Sequence, residues 1–224
     1  MIQVPNKSIS THYTKTYFKK RDVLDVPIAE AIKKFMYERQ LDRVLDVGCG
    51  SGRMVRFLSE AGFESYGCDV NKIAVRMARE LNGYKRIKLA TATRLPYRDH
   101  QFDIVISVSV IEHITKSQVA QFLKETKRIL KPEGFIFLVT PNFATPLRTI
   151  QKENWGGYQD PTHINFYTPT SLANTLKSSQ FSDITTTMDI PYKNRVGIDY
   201  FAHIHYLPVF LKPLIGYLFF STGL

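Results

Sequence analysis

From residue 26 onward the chain alternates between short unbroken apolar runs and longer stretches with an apolar residue every third or fourth position. The first kind reads as strand buried on both faces and the second as amphipathic helix. "PIAEAIKKFMYERQ" has Pro27 in a first-turn position and Ile28, Ala31, Ile32, Phe35 and Met36 at helical spacing. "RVLDVG" predicts a buried strand, and "GRMVRFLSEAG" a helix closed by Gly62. "ESYGCDV" predicts a strand, and "NKIAVRMARELNG" a helix capped by Asn71 and ended at Gly83. "IKLAT", "FDIVISVSV" and "FIFLVT" predict three further strands, with the helix "KSQVAQFLKETKRIL" before the last of them, stopped by "KPEG". This order predicts an α/β fold, a Rossmann-like open sheet, mostly parallel, with helices on both faces.

After Pro141 the pattern loosens. Residues 141–168 form a long segment rich in aromatic residues, Gly and Pro, of the kind that carries function in a compact domain. "TPTSLANTLKSS" predicts a helix with Thr168 as cap and Pro169 in its first turn, and "DITTTMDI" a β-branched strand. Residues 201–224 are strongly apolar, with Lys212 as the one charge. "GYLFFST" within them is the candidate for the last strand of a seven-stranded sheet. The charge-free run after Lys212 is twelve residues, too short to span a bilayer. A substrate-side helix followed by a strand, a segment lying on a membrane surface, and a truncated chain that leaves the segment sticky are the three readings open for it. Residues 1–25, with "THYTKTYFKKRD", read as an N-terminal arm or lid, and 191–212 as a further substrate-side loop. No repeat or linker divides the chain, so 1–224 is expected to be one domain.

Composition narrows the class. With 224 residues, 44% hydrophobic and 22% charged, the chain can build a real core. Its two cysteines, Cys49 and Cys68, have no framework spacing, and "MIQVPNKSIS" has no secretory h-region. Both point to a reducing, cytoplasmic setting, with peripheral membrane contact through 201–224 left open. The formal net charge of +10 favours anionic partners, although most Lys and Arg fall on helix faces that are solvated anyway.

The densest signal is "VLDVGCGSGRM", Val44 to Met54. Gly48, Gly50 and Gly52 stand where the first strand ends and a helix begins, the edge at which open parallel sheets bind ligands. Glycine allows the tight turn and a close approach to the backbone, and the helix amides favour an anionic group. Asp69 follows 21 residues after Gly48, at the end of the next strand, where a carboxylate accepts ribose hydroxyls. A nucleoside-containing ligand follows. A dinucleotide fingerprint would need glycine at position 53, which is Arg53, so the pattern is G-x-G-x-G preceded by Asp46.

"VLDVGCGSGR" resembles the first motif of the class I S-adenosylmethionine-dependent methyltransferases. "YGCDVNKIAVRMAR" resembles their ribose-binding segment, "ATATRLPYRDHQFDIVISVSVIEHI" their adenine-side turn and fourth strand, and "FLKETKRILKPEGFIFLVTPN" their next helix and strand. The likeness covers about residues 40–145. "DPTHINFYTPTSLANTLKSSQF" extends it to about 185, towards the small-molecule, ubiquinone-biosynthesis-like branch. The resemblance implies S-adenosylmethionine as cofactor. Asp46 and the turn through Gly48, Cys49, Gly50 and Gly52 would hold the methionine portion. Asp69 would bind the ribose diol and Val70 would pack on the adenine. Thr91 and Ala92 would meet the adenine edge, and Ser107 and Val108 would lie beside the transferred methyl. Relatives often carry Asp where this chain has Thr91.

A sulfonium methyl is already electrophilic, so the protein must supply alignment and, for oxygen or nitrogen acceptors, a base. His113 in "IEHI" and His163 in "DPTHINFY" are the candidates, His113 also reading as a structural residue beneath the cofactor. Tyr13, Tyr17, Trp155, Tyr158 and Tyr167 are candidates to wall an apolar substrate, or to bind lid and loop to the core. No His/Cys cluster has metal-ligand spacing, so no metal is expected. "SVSV" stands where amino-methylating nucleic-acid enzymes of this fold usually resemble Asp-Pro-Pro-Tyr, and no basic arm exists beyond "KKRD". The expected acceptor is a small molecule methylated at oxygen or nitrogen: quinone-like, lipid-linked or sugar. An RNA or protein acceptor, and a non-catalytic cofactor-binding partner subunit, are the alternatives.

Overall fold

Strand β1 (Arg43–Val47) is the centre of the molecule. It pairs in parallel with β2 (Glu64–Asp69) on one side and β4 (Phe102–Val108) on the other. With β3 (Ile87–Leu89) and β5 (Leu130–Val139) the order is β3-β2-β1-β4-β5, all parallel. This is a computed structural model, and it describes residues 13–14, 16–17 and 23–186. The helices are α1 (Val26–Glu38), α2 (Arg53–Glu60), α3 (Lys72–Asn82), α4 (Lys116–Ile129), the short α5 (Pro146–Gln151) and α6 (Gly156–Gln159), and α7 (Pro169–Ser178).

The α/β alternation predicted from the apolar runs is observed. Asn71 caps α3 by accepting from Ile73 and Ala74, and Thr168 and Ser171 close a capping box at α7. Asp25 caps α1. "KPEG" does not separate helix from strand. β5 starts at Leu130, opposite Phe102, and the register slips between Phe102 and Ile104 where Glu133 takes φ 60°. The described start of "DITTTMDI", residues 183–186, carries no strand. Its remainder, "GYLFFST" and the segments 191–212 and 201–224 lie outside the described residues. No helix among the described residues is long and apolar enough to cross a membrane.

Side chains alternate across the sheet, so one core forms on each face. Leu45, Val47 and Val105 pack with Phe122, Leu123 and Ile129 of α4. Val44, Ile104 and Ile106 pack with Ile28, Ile32 and Met36 of α1 and Leu58 of α2. A third group, Cys49, Val55, Val75, Ala78 and Ile87, joins α2 and α3.

The glycine turn is shaped from within as well as from outside. Gly48 and Gly52 both have φ +83°. A Cβ on Gly48 would come 2.3 Å from Val110 Cγ2, and one on Gly52 2.5 Å from Asn82 Nδ2 and 2.9 Å from Ala78 Cβ. Packing against the protein's own side chains therefore requires these two glycines. Gly52→Ala is expected to cost about 2 kcal/mol or more, from left-handed strain and overlap together. A lower urea midpoint at unchanged slope would show it; an unchanged midpoint would mean that α3 yields freely.

Candidate functional site

At the end of β1 the chain leaves the sheet sharply. The Cys68 carbonyl accepts both Gly48 N (2.8 Å) and Cys49 N (3.0 Å). The turn is thereby bent over the end of β2, where Asp69 receives it. Asp69 Oδ2 accepts Gly50 N at 2.9 Å and Oδ1 accepts Asn71 N at 2.7 Å. Burial pushes the Asp69 carboxyl up, while the amides of Asn71, Gly50 and Val70 pull it down. Asp69 therefore joins the glycine turn to the start of α3, with its side chain half-buried at the sheet edge.

Asp46 lies below this turn, 5% exposed. Its carboxylate has no hydrogen-bond partner among the described residues. Burial first, and the charge of Asp69 second, push its pKa up to about 7. A buried carboxylate without a donor is costly unless a cation or a strong donor comes to it.

On the other side of β1, the 3₁₀ turn Ile111–His113 follows β4 and brings up Glu112 and His113. The loop before α7 lays His163 against them, its ring 4.6 Å from that of His113. The loop is anchored because the Glu112 carbonyl accepts Ile164 N (2.8 Å) and Asn165 N (3.1 Å). His113 Nδ1 lies 2.9 Å from Thr162 Oγ1, which donates to Asp160 Oδ1 at 2.6 Å. Against the cost of its own burial, the Thr162 hydroxyl and amide hold Asp160 below the usual carboxylate range. His163 Nδ1 donates to the Gly157 carbonyl at 2.6 Å. Glu112 is 1% exposed; its Oε2 accepts from the Thr140 hydroxyl at 3.0 Å, and Oε1 has no partner.

The arm connects the two halves. Tyr13 lends its carbonyl to Asn71 Nδ2 at 2.9 Å, while its hydroxyl lies 3.2 Å from Thr162 Oγ1 and 3.5 Å from the His113 ring nitrogens. Tyr17 packs edge-on against it, with centroids 4.7 Å apart. Next to the histidines Phe143, Trp155, Tyr158 and Phe166 form an aromatic cluster, with Tyr158 and Phe166 more than a third exposed.

Of the positions singled out in the sequence, the structure gathers Asp46, Gly48, Gly50, Gly52 and Asp69 around one turn, and Tyr13, Tyr17, His113 and His163 around one corner. Val70 follows Asp69 half-buried, and Thr91 and Ala92 follow the end of β3, Thr91 Oγ1 lying 3.1 Å from Thr93 Oγ1. Other positions turn inward. Cys49 packs beneath the turn against Gly67, where burial raises its thiol pKa. Ser107 is sealed in the sheet with its hydroxyl on the Val47 carbonyl, and Val108 packs towards the α1 side. Tyr167 joins the α4-side core, and Trp155 is buried at the base of the aromatic cluster. Residues missed in the sequence are Glu112, Asn71 as a holder of the arm, Thr162, Phe143 and Phe166. An acid inside the apolar run "VIEHI" was the available signal for Glu112.

Residues 45–138 match the methyltransferase-domain family. This part of the chain has the fold of the class I methyltransferases. The cofactor that this likeness implies is S-adenosylmethionine. Tocopherol O-methyltransferase of Arabidopsis thaliana is 33% identical over 110 residues, 46% of this chain and 31% of that protein. The tRNA (carboxymethyluridine(34)-5-O)-methyltransferase of the same plant is 29% identical over 130 residues, 53% of this chain and 31% of that protein. The ubiquinone biosynthesis O-methyltransferase of Sinorhizobium medicae is 24% identical over 184 residues, 77% of this chain and 73% of that protein. The chain thus spans about a third of the length of the two plant relatives. Among solved structures, an S-adenosylmethionine-dependent methyltransferase from Archaeoglobus fulgidus superposes with TM-score 0.60 at 24% identity, over 77% of this chain and 76% of that one. The residues of the domain fit its cofactor: the orphaned Asp46 carboxylate matches an α-amino group, and Asp69 at the mouth of the turn matches a ribose diol.

The raised pKa of Asp46 has a measurable consequence. The folded apoprotein holds a proton there up to about pH 7, whereas the unfolded chain releases it near 3.8. Between those values the folded state binds more protons, so this group's stability contribution is present at low pH and is lost as pH rises towards 7. Asp46→Asn is expected to raise the apoprotein melting temperature at pH 8 and leave it unchanged at pH 4. Equal shifts at both pH values would refute the assignment.

Proposed function

We propose that the chain transfers a methyl group from S-adenosylmethionine to an oxygen atom of an apolar, ring-containing small molecule. The observation that carries this reading is the partly exposed aromatic cluster of Phe143, Trp155, Tyr158 and Phe166 beside the histidine pair. Flat apolar faces next to a few convergent polar groups suit a ring bearing a hydroxyl. The names of the three curated relatives, all O-methyltransferases, point to oxygen as the acceptor atom.

When bound, the cofactor supplies a methyl carbon already activated by its sulfonium. The chain's own residues do the rest. Asp46 would hold the amino group and Asp69 the ribose hydroxyls. Tyr13 closes over Asn71 and Thr162 and excludes water from that corner. The aromatic cluster aligns the ring. Activation of the acceptor oxygen falls to Glu112, His113 and His163, where His163 carries its proton on Nδ1 and so offers Nε2 as an electron pair.

Calorimetric titration with S-adenosylhomocysteine tests the cofactor half. Micromolar binding is expected, weakened about 100-fold in Asp69→Ala through loss of charge-assisted hydrogen bonds worth about 1.5–3 kcal/mol each, and no binding of NAD. No binding by a folded protein would sink the reading. Tyr158→Ala and Phe166→Ala test the acceptor half, both being expected to raise KM for a hydroxylated quinone or phenol with kcat little changed.

The net charge of +10 and the tRNA-modifying relative favour a second reading, in which the acceptor is RNA. Tight RNA binding with a steep salt dependence would support it and displace the first; weak, sequence-independent binding would remove it.

A further inference from the structure

Glu112, His113 and His163 each offer one ligand atom, all three atoms lying within 4.8 Å of one another. The protonation of this trio is set by its neighbours. The Gly157 carbonyl can only accept, so His163 carries its proton on Nδ1 and an electron pair on Nε2. Thr162 Oγ1 gives its proton to Asp160, so at the 2.9 Å contact His113 Nδ1 is the donor. Its Nε2, which lies 3.5 Å from the Tyr13 hydroxyl, is then an electron-pair donor as well. Metal-binding imidazoles are held in this way, one nitrogen fixed by a carbonyl or by a hydroxyl-carboxylate pair and the other turned to the ion. Glu112 supplies the independent observation: Oε1 is sealed from solvent and has no hydrogen-bond partner, although Oε2 is satisfied by Thr140. Two imidazoles and a buried carboxylate thus stand together, a donor set that suits a cation.

We propose that Glu112, His113 and His163 form a binding site for a divalent first-row metal ion, with zinc the best match to two imidazoles and one carboxylate with a position left open. Ligand atoms about 2.1 Å from a four-coordinate ion lie roughly 3.4 Å apart, so binding requires the trio to close by about an ångström. The use of the ion in the reaction rests on the methyl-transfer reading; its binding does not. At the open position an acceptor hydroxyl becomes more acidic and gives its proton to water. Its oxygen then forms the bond to the methyl carbon as the carbon–sulfur bond breaks and the sulfur keeps the electron pair.

The test is calorimetric titration of chelator-treated, tag-free protein with zinc chloride. One equivalent should bind, and Glu112→Gln and His163→Ala should each weaken it 100-fold or more. Glu112→Gln keeps the shape of the side chain and its Thr140 bond, so it is expected to melt no lower than the metal-free parent. Asp69→Ala should bind S-adenosylhomocysteine about 100-fold more weakly yet keep zinc, so a failed cofactor site and a failed metal site are told apart. No saturable zinc binding by the parent protein, or one equivalent bound unchanged by both Glu112→Gln and His163→Ala, would overturn the proposal. A parent that binds no zinc and is stabilised by Glu112→Gln would also overturn it, and would assign a proton to the place of the ion.

Discussion

The Cys68 carbonyl, at the end of β2, accepts two successive amides from the turn that leaves β1. In a parallel sheet every strand runs out of partners at the same edge, and the chain must find new ones there. Here β1 finds them on its neighbour, and the turn is bent across β2 until Gly50 N reaches Asp69. Asp69 in turn holds Asn71, Asn71 holds the Tyr13 carbonyl, and the Tyr13 hydroxyl meets Thr162 and His113. One continuous set of hydrogen bonds links glycine turn, arm and histidine pair. Removing the parallel register of β1 with β2 would remove the place where they meet.

The same edge collects negative groups in a chain that is positive overall. Asp46 and Glu112 are buried and Asp69 is half-buried, and burial raises the pKa of all three. Each is incomplete in a different way. Asp46 faces no donor, Asp69 has only backbone amides, and Glu112 has one satisfied and one orphaned oxygen. A protein keeps such groups against their folding cost when a ligand completes them. An amino group, a ribose diol and a metal ion are the three complements this chemistry calls for. All three would lower the carboxyl pKa values, so ligand binding and proton release are coupled throughout the site.

The fold was legible because its signals are local. A buried parallel strand must be an unbroken apolar run, as in "FDIVISVSV", and a turn with φ +83° must be glycine, as at Gly48 and Gly52. The place of Asp69 at the end of β2 was legible for the same reason, since one strand–helix–strand unit has a narrow range of lengths. What sequence could not show is convergence between distant segments. His113 and His163 stand fifty residues apart, and Glu112 was hidden because its neighbours in the chain are apolar. Direction was illegible too: the side chains of Cys49, Ser107 and Tyr167 turn into the protein. Two of the glycines have a further reason that the sequence did not show, because a side chain there would meet Val110, Asn82 and Ala78. At "KPEG" a turn signal was absorbed into β5 as an irregularity, because pairing with β4 outweighs the local preference.

The central claim is that one sheet edge holds the cofactor between Asp46 and Asp69 and points its sulfur at Glu112, His113 and His163. The most direct measurement is a crystal structure of the complex with S-adenosylhomocysteine. The account predicts the α-amino group within hydrogen-bonding distance of Asp46, both ribose hydroxyls on Asp69, and the sulfur on the side of the histidine pair. A ligand whose ribose sits away from Asp69, or whose sulfur faces away from the end of β4, would contradict it.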